Sequence, residues 1–377
     1  MKPHTFINFA VILIFTIMNS CKQNPNGKSD FCNKADSLFS SIYHADNEPG
    51  AAVLVMKGDS IIFEKCYGIA DMQTKTAITP QTNFCIASVS KQFSAVAILQ
   101  LAERGLLSLN DSLKKFFPEY KADFYNKITL HHILSHTSGI PDARPRTDKN
   151  FMLYSTDIES CKYLTDLNRL NFEPGSKYEY INPTFQLVFQ IIPRITGIDF
   201  DSYMKQYIFD VAGMTASSYF ESERTIPNMA HGYTFNKKNN KYIECDYGET
   251  NFFASKADGG LYTSIRDFAK WEKALRENKI ISESTKKTAY SPKIKINEDA
   301  EYGYNKNTGY GYGWFVQQNP NQPECIYHIG DNGGFTIYAG KIPEKDIILL
   351  IFSNRDDIDR IATANSIYAL MKNEDWF

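Results

Sequence analysis

The pattern of apolar and polar positions divides the chain into stretches of different period. Lys2 is followed by an apolar run from Phe6 to Met18, then by a polar stretch from residue 22 to about 30. Residues 51–68 hold two β-rich runs around the turn signal Lys57-Gly58-Asp59-Ser60, which predicts a β-hairpin. From Phe93 to Leu99 the chain is apolar on nearly all sides, which predicts a buried helix. That helix opens near Ile86 and stops at Glu103-Arg104-Gly105, with the glycine just past its end. From 109 to 264 short helical stretches alternate with punctuators. Thr129 caps one over Leu130 to Leu134, and others cover Asp157 to Leu164 and Phe200 to Phe209. The stretch from Phe185 to Thr196 contains Pro193, where a kink or an early end is expected. Residues 235–256 read as polar and irregular. A helix returns near Ile265, strands follow over 311–317, 325–329, 335–341 and 347–353, and a helix over 357–371 closes the chain. Strands at both ends with helices between them predict an α/β (α+β) fold. Its antiparallel sheet, flanked by helices, is built from 33–108 and 265–377, with a mainly helical subdomain inserted at 109–264.

Composition narrows the function classes. The 377 residues are 43% hydrophobic and 22% charged with a net charge of −2, as in ordinary soluble proteins. There is no basic excess to hold nucleic acid. The N-terminal order of charge, apolar run and small residues predicts a signal peptide over 1–20 and a tether over 21–32. Ser20-Cys21 also resembles a bacterial lipobox, departing from it at Met18-Asn19. Cleavage there would leave Cys21 lipid-modified at an outward-facing membrane. Cleavage by an ordinary signal peptidase would leave an exported, periplasmic or secreted protein. The six other cysteines are widely spread without zinc spacing and are expected as free buried thiols.

The stretch Ile86-Ala87-Ser88-Val89-Ser90-Lys91 carries Ser-x-x-Lys at a helix start. Residues three apart share a helical face, so Ser88 and Lys91 should meet. A serine hydroxyl becomes a good nucleophile only when a base takes its proton. A lysine serves as that base only when burial or neighbouring charge lowers its pKa. The apolar run after Lys91 supplies the burial.

Other motifs accompany it in order. Leu134-Ser135-His136-Thr137-Ser138-Gly139 precedes Tyr180-Ile181-Asn182, and His328-Ile329-Gly330 on a predicted strand precedes Asp331-Asn332-Gly333-Gly334. With Pro174-Gly175, Ala212-Gly213-Met214, Gly259-Gly260-Leu261-Tyr262-Thr263 and Tyr310-Gly311-Tyr312-Gly313-Trp314, this resembles the serine β-lactamase-like family over residues 35 to 370. That family includes class C β-lactamases, DD-peptidases and family VIII esterases. The resemblance implies a serine hydrolase with no cofactor and no metal, acting as a monomer on a small-molecule or peptide substrate. It implies Ser88 as the acylated nucleophile and Lys91 as holder of its proton. Tyr180 would be base or relay, and which of Lys91 and Tyr180 takes the proton stays open. Asn182 would bind a substrate amide and orient Lys91. The N–H groups of Ser88 and Asp331 would form the oxyanion hole, and His328 and Gly330 would line the substrate strand.

His328-Ile329-Gly330 stands where class C β-lactamases carry Lys-Thr-Gly. A half-charged imidazole there is expected to hold a substrate carboxylate less well as pH rises. D-amino peptides of the cell-wall type, β-lactams and small esters are the expected substrates, in that order. The alternative is a penicillin sensor or cell-wall adaptor that acylates with little turnover. His132 and His136 share a helical face, but no carboxylate follows in the metalloprotease position.

Overall fold

The computed structural model describes residues 28–221, 226–245, 255–296 and 306–376. The expected signal peptide and Cys21 lie outside the described residues. The main sheet contains β1 (Ala51–Lys57), β2 (Ser60–Tyr67), β3 (Ile294–Lys295), β4 (Thr308–Tyr310), β5 (Phe315–Gln317), β6 (Cys325–Asn332), β7 (Phe335–Ile342) and β8 (Ile347–Ser353). Their order is β3-β4-β5-β6-β7-β8-β1-β2, and every neighbouring pair is antiparallel. The two ends of the chain join where β1 pairs β8, with Val53 opposite Ile351.

Both faces of this sheet are covered, so the central strands are continuous apolar runs. Side chains on a strand alternate between faces. On β8, Ile348, Leu350 and Phe352 enter one core, while Ile347, Leu349 and Ile351 enter the other. The second core is closed by helices α1 (Lys28–Ile42) and α4 (Arg360–Asn373), through Phe31, Phe39, Ile367 and Met371. The first holds α2 (Lys91–Glu103) and α3 (Ile265–Arg276). Phe93 of α2 stacks on Trp271 of α3 at 4.2 Å between ring centroids. This apolar clamp fixes the helix that carries the Ser-x-x-Lys motif.

Three expectations are corrected. The tether does not reach residue 32, because α1 begins at Lys28 and buries Phe31 against the sheet. The stretch read as irregular contains a hairpin, Tyr233–Asn236 paired with Lys241–Glu244. Its outer strand is polar and mostly exposed, so it lacks an apolar signal. The helix over Val188–Thr196 runs through Pro193 and ends at Gly197, whose φ of +72° closes it. Among the described residues no helix is long and apolar enough to cross a membrane. Cys85, Cys161 and Cys325 are free and buried and Cys66 is free and half-buried, while Cys32 is buried and Cys245 half-buried.

Candidate active site

Ser88 lies in a single 3₁₀ turn, Ala87–Ser90, that runs directly into α2. In that tighter turn residues i and i+3 eclipse, which brings Ser88 over Lys91. Ala87 adopts a φ of +46°, an uncommon conformation for a residue with a Cβ. β6 lies hard against this turn. A Cβ on Gly330 would meet the Ile86 carbonyl oxygen at 2.3 Å, so only glycine permits the approach. Ser88 itself is half-buried.

Lys91 is fully buried. Its Nζ donates to Ser88 Oγ at 3.1 Å and to the carbonyl oxygen of Asp258 at 2.8 Å. The nearest carboxylate oxygen, Asp258 Oδ2, is 4.0 Å away. Burial pushes the Lys91 pKa down to about 8, Asp258 opposes that shift, and the Arg144 charge adds to it. At pH 7 about one lysine in ten is then neutral, against roughly one in three thousand for an unperturbed one. Nζ also lies over the Tyr180 ring, 5.0 Å from its centroid.

The Tyr180 loop is held by His136 from both sides. The His136 carbonyl accepts the Glu179 N–H at 2.9 Å, and Nδ1 accepts the Ile181 N–H at 3.4 Å. Its ring lies 4.2 Å from that of Tyr180. Burial, then the Lys91 charge, keep the His136 pKa well below the usual histidine range. His136 is therefore a neutral positioning group. His131 Nδ1 contacts Tyr312 Oη at 2.6 Å, and His132 Nδ1 accepts the Thr129 N–H at 3.1 Å. These imidazoles serve the loop. No cluster of three or more potential metal ligands exists among the described residues.

A family model for Beta-lactamase matches residues 35–370. The chain belongs to the beta-lactamase family. It is 27% identical over 317 residues to penicillin-binding protein 4* of Bacillus subtilis, covering 81% of this chain and 68% of that one. The chain spans about two thirds of the length of the curated relatives it matches. The octameric penicillin-binding protein homologue of Pyrococcus abyssi superposes with a TM-score of 0.77 at 27% identity, over 90% of this chain and 77% of that one. The D-amino acid amidase of Ochrobactrum anthropi shares the fold, with a TM-score of 0.73 at 21% identity, over 91% of this chain and 99% of that one. This family member is thus a serine hydrolase of the β-lactamase and penicillin-binding-protein type.

Two expectations for the family's residues need correction. Asn182 does not orient Lys91. Its Oδ1 is buried with no hydrogen-bond partner among the described residues, and the Asp258 carbonyl accepts the hydrogen bond from Lys91 Nζ instead. His328 does not meet a substrate carboxylate as a half-charged imidazole. It is buried on β6, and Nδ1 lies 2.7 Å from the Ile329 carbonyl oxygen, which can only accept. Nδ1 therefore carries the ring proton, and Nε2 accepts from Tyr310 Oη at 3.0 Å. Burial, with the Lys91 charge next, depresses the His328 pKa to about 3. Both ring nitrogens are engaged and the ring is neutral across physiological pH. Asp331, expected at the oxyanion hole, is exposed, and its side chain accepts from Arg360 Nη1 at 2.9 Å. Asp258 and Arg144 were missed in the sequence; the one available signal for Asp258 is its position before Gly259-Gly260.

Proposed function

We propose that the chain hydrolyses an amide or ester through an acyl-enzyme on Ser88, with Lys91 as the group that takes the serine proton. The observation that carries this reading is the 3.1 Å contact between Ser88 Oγ and a buried lysine whose pKa is lowered to about 8. A neutral lysine accepts the proton as Oγ attacks the carbonyl carbon, and the resulting ammonium returns it to the leaving group. The N–H groups of Ser88 and Asp331 stabilise the developing oxyanion. Gly330 supports that role by letting β6 approach the Ser88 turn. Tyr180, held by His136 over Lys91, relays the proton toward the leaving group, and Asn182 Oδ1 accepts from a substrate amide.

The proposed substrates are cell-wall D-amino peptides first, then β-lactams and small esters. The penicillin-binding name of the relatives supports that order. Residues 109–264 supply the wall of the cleft opposite the sheet. The apolar run before Ser20-Cys21 supports export and a lipid anchor at Cys21, and Cys21→Ser would then release or fail to process the protein. We propose a monomer; light scattering separates this from the octamer named for the archaeal relative.

The direct test is covalent labelling with a fluorophosphonate or a penicillin probe, read by mass spectrometry. Ser88→Ala should label less than wild type by roughly four orders of magnitude or more. Labelling that persists at another residue overturns the assignment. Turnover beyond one equivalent separates a hydrolase from a sensor that acylates once.

A further inference from the structure

The carbonyl that holds Lys91 Nζ belongs to Asp258, in a segment outside the helices and strands that carry the motifs. That segment, 256–261, is strapped across the catalytic turn. Ser94 Oγ of α2 donates to the Ala257 carbonyl at 2.5 Å. The Cys85 thiol donates to the Gly259 carbonyl at 3.5 Å, and the Leu261 N–H donates to Ser90 Oγ at 3.2 Å. The carbonyls of Ala257 and Asp258 thus both face α2. Their counterpart on the other side is one side chain. Asp157 is fully buried, its Oδ2 accepts the Lys256 N–H at 2.6 Å, and its Oδ1 accepts the Ala257 N–H at 3.0 Å.

The grip is itself held. Asp157 opens the helical turn Asp157–Ser160, which Thr156 and Glu159 cap reciprocally. Cys161, the next residue, donates its thiol to the Pro183 carbonyl at 3.4 Å, beside Asn182. A buried carboxylate is costly unless its oxygens are hydrogen-bonded. Burial, then the Asp258 charge, push the Asp157 pKa well above the usual carboxylate range, and the backbone N–H groups oppose that shift. Asp258, Cys161 and Tyr219 are the titratable groups that face Asp157. Those that face Lys91 are Asp258, Arg144, His136, His328 and Tyr180.

We propose that Asp157 is a positioning residue for the acylation step: by gripping the N–H groups of Lys256 and Ala257 it aims the Asp258 carbonyl, which keeps Lys91 Nζ against Ser88 Oγ. This rests on the acyl-enzyme reading above and adds to it a residue that touches neither substrate nor lysine.

The test follows Ser88 acylation by a p-nitrophenyl ester against pH, counted per folded molecule. A wild-type limb near 8, and loss of acylation in Ser88→Ala, check the acyl-enzyme reading separately. Asp157→Asn keeps the shape, but its amide oxygen takes only one of the two N–H groups. The limiting acylation rate should fall about ten- to hundredfold, the effect of a small misplacement of a reacting group. The limb should also move to lower pH, because an ammonium that loses its acceptor is less favoured. A merely structural Asp157 would lower the urea midpoint and leave the limb in place. If Asp157→Asn does not fold, Asp157→Ser decides by the same two readouts, since its smaller side chain still accepts one N–H. A limb left in place, or moved to higher pH, overturns the proposal. So does an acidward limb with a limiting rate within about threefold of wild type, which would make Asp157 a distant charge only.

Discussion

Among the described residues two lysines are buried, and their surroundings differ in one respect. Lys91 touches a hydroxyl and a carbonyl oxygen, with the nearest carboxylate oxygen 4.0 Å off. Lys341, near the end of β7, donates to Glu272 Oε2 at 2.8 Å and to Tyr290 Oη at 2.6 Å. Its Nζ also lies over the Tyr290 and Trp314 rings, at 4.5 and 5.3 Å. Burial lowers the pKa of both, and a carboxylate opposes the shift in each. The carboxylate at hydrogen-bond distance makes the Lys341 proton part of a structural ion pair. Among the described residues Lys91 has only neutral acceptors at hydrogen-bond distance, and one of them is the hydroxyl whose proton moves in the proposed acylation. Burial alone does not free a lysine to act as a base; on the proposed reading, burial without a touching carboxylate does.

Matched substitutions break this comparison at either end. Lys91→Ala should slow acylation by roughly a hundred- to ten-thousandfold, the span of a lost general base, and urea unfolding should show a folded protein. Acylation within tenfold of wild type would remove Lys91 as the base. Lys341→Met should do the reverse. It leaves Glu272 buried without its partner, at a cost of about 3–5 kcal/mol in unfolding free energy. Acylation by the folded fraction should stay within a few fold. Adding Glu272→Gln should recover most of the stability, because replacing a whole buried pair is close to neutral. A Lys341→Met variant that is stable but slow would place Lys341 in the chemistry.

His328→Lys sharpens the same lesson. It puts a second ammonium in the field of Lys91, in a site that holds a phenol and a carbonyl oxygen but no touching carboxylate. The expected result is a loss on the order of 3 kcal/mol in stability, without the gain in carboxylate reactivity that the motif alone suggests. In wild type, no step in rate between pH 5.5 and 7.5 should arise from His328, whose folded pKa lies near 3.

The sheet was legible because its strands are apolar runs bounded by turns, and the buried face of α2 because it has no polar side. The Ser88–Lys91 pair was legible through spacing. What Lys91 touches was not. A backbone carbonyl such as that of Asp258 has no signature in the sequence, and folding brings it from 167 positions away. The state of His328 was equally hidden. A histidine's charge is set by burial and by which atoms face its nitrogens, and both come from the packing of β6 against β5 and the Tyr180 loop. Arg144 lay in a stretch without a motif, and the cavity beside it is lined by residues 144–163, which fold over one another without a periodic signal.

The central claim concerns the Lys91 proton, and the rate of Ser88 acylation against pH measures it. The base must be neutral, so the rate should rise with pH through a limb near 8 and then level off. Asp258 holds the Lys91 pKa up, so Asp258→Asn should move the limb to lower pH while the 2.8 Å carbonyl contact, which belongs to the backbone, is retained. A limb near 8 that moves acidward in Asp258→Asn is the predicted result. A profile flat from pH 6 to 10, or a limb that Asp258→Asn leaves in place, would contradict the account.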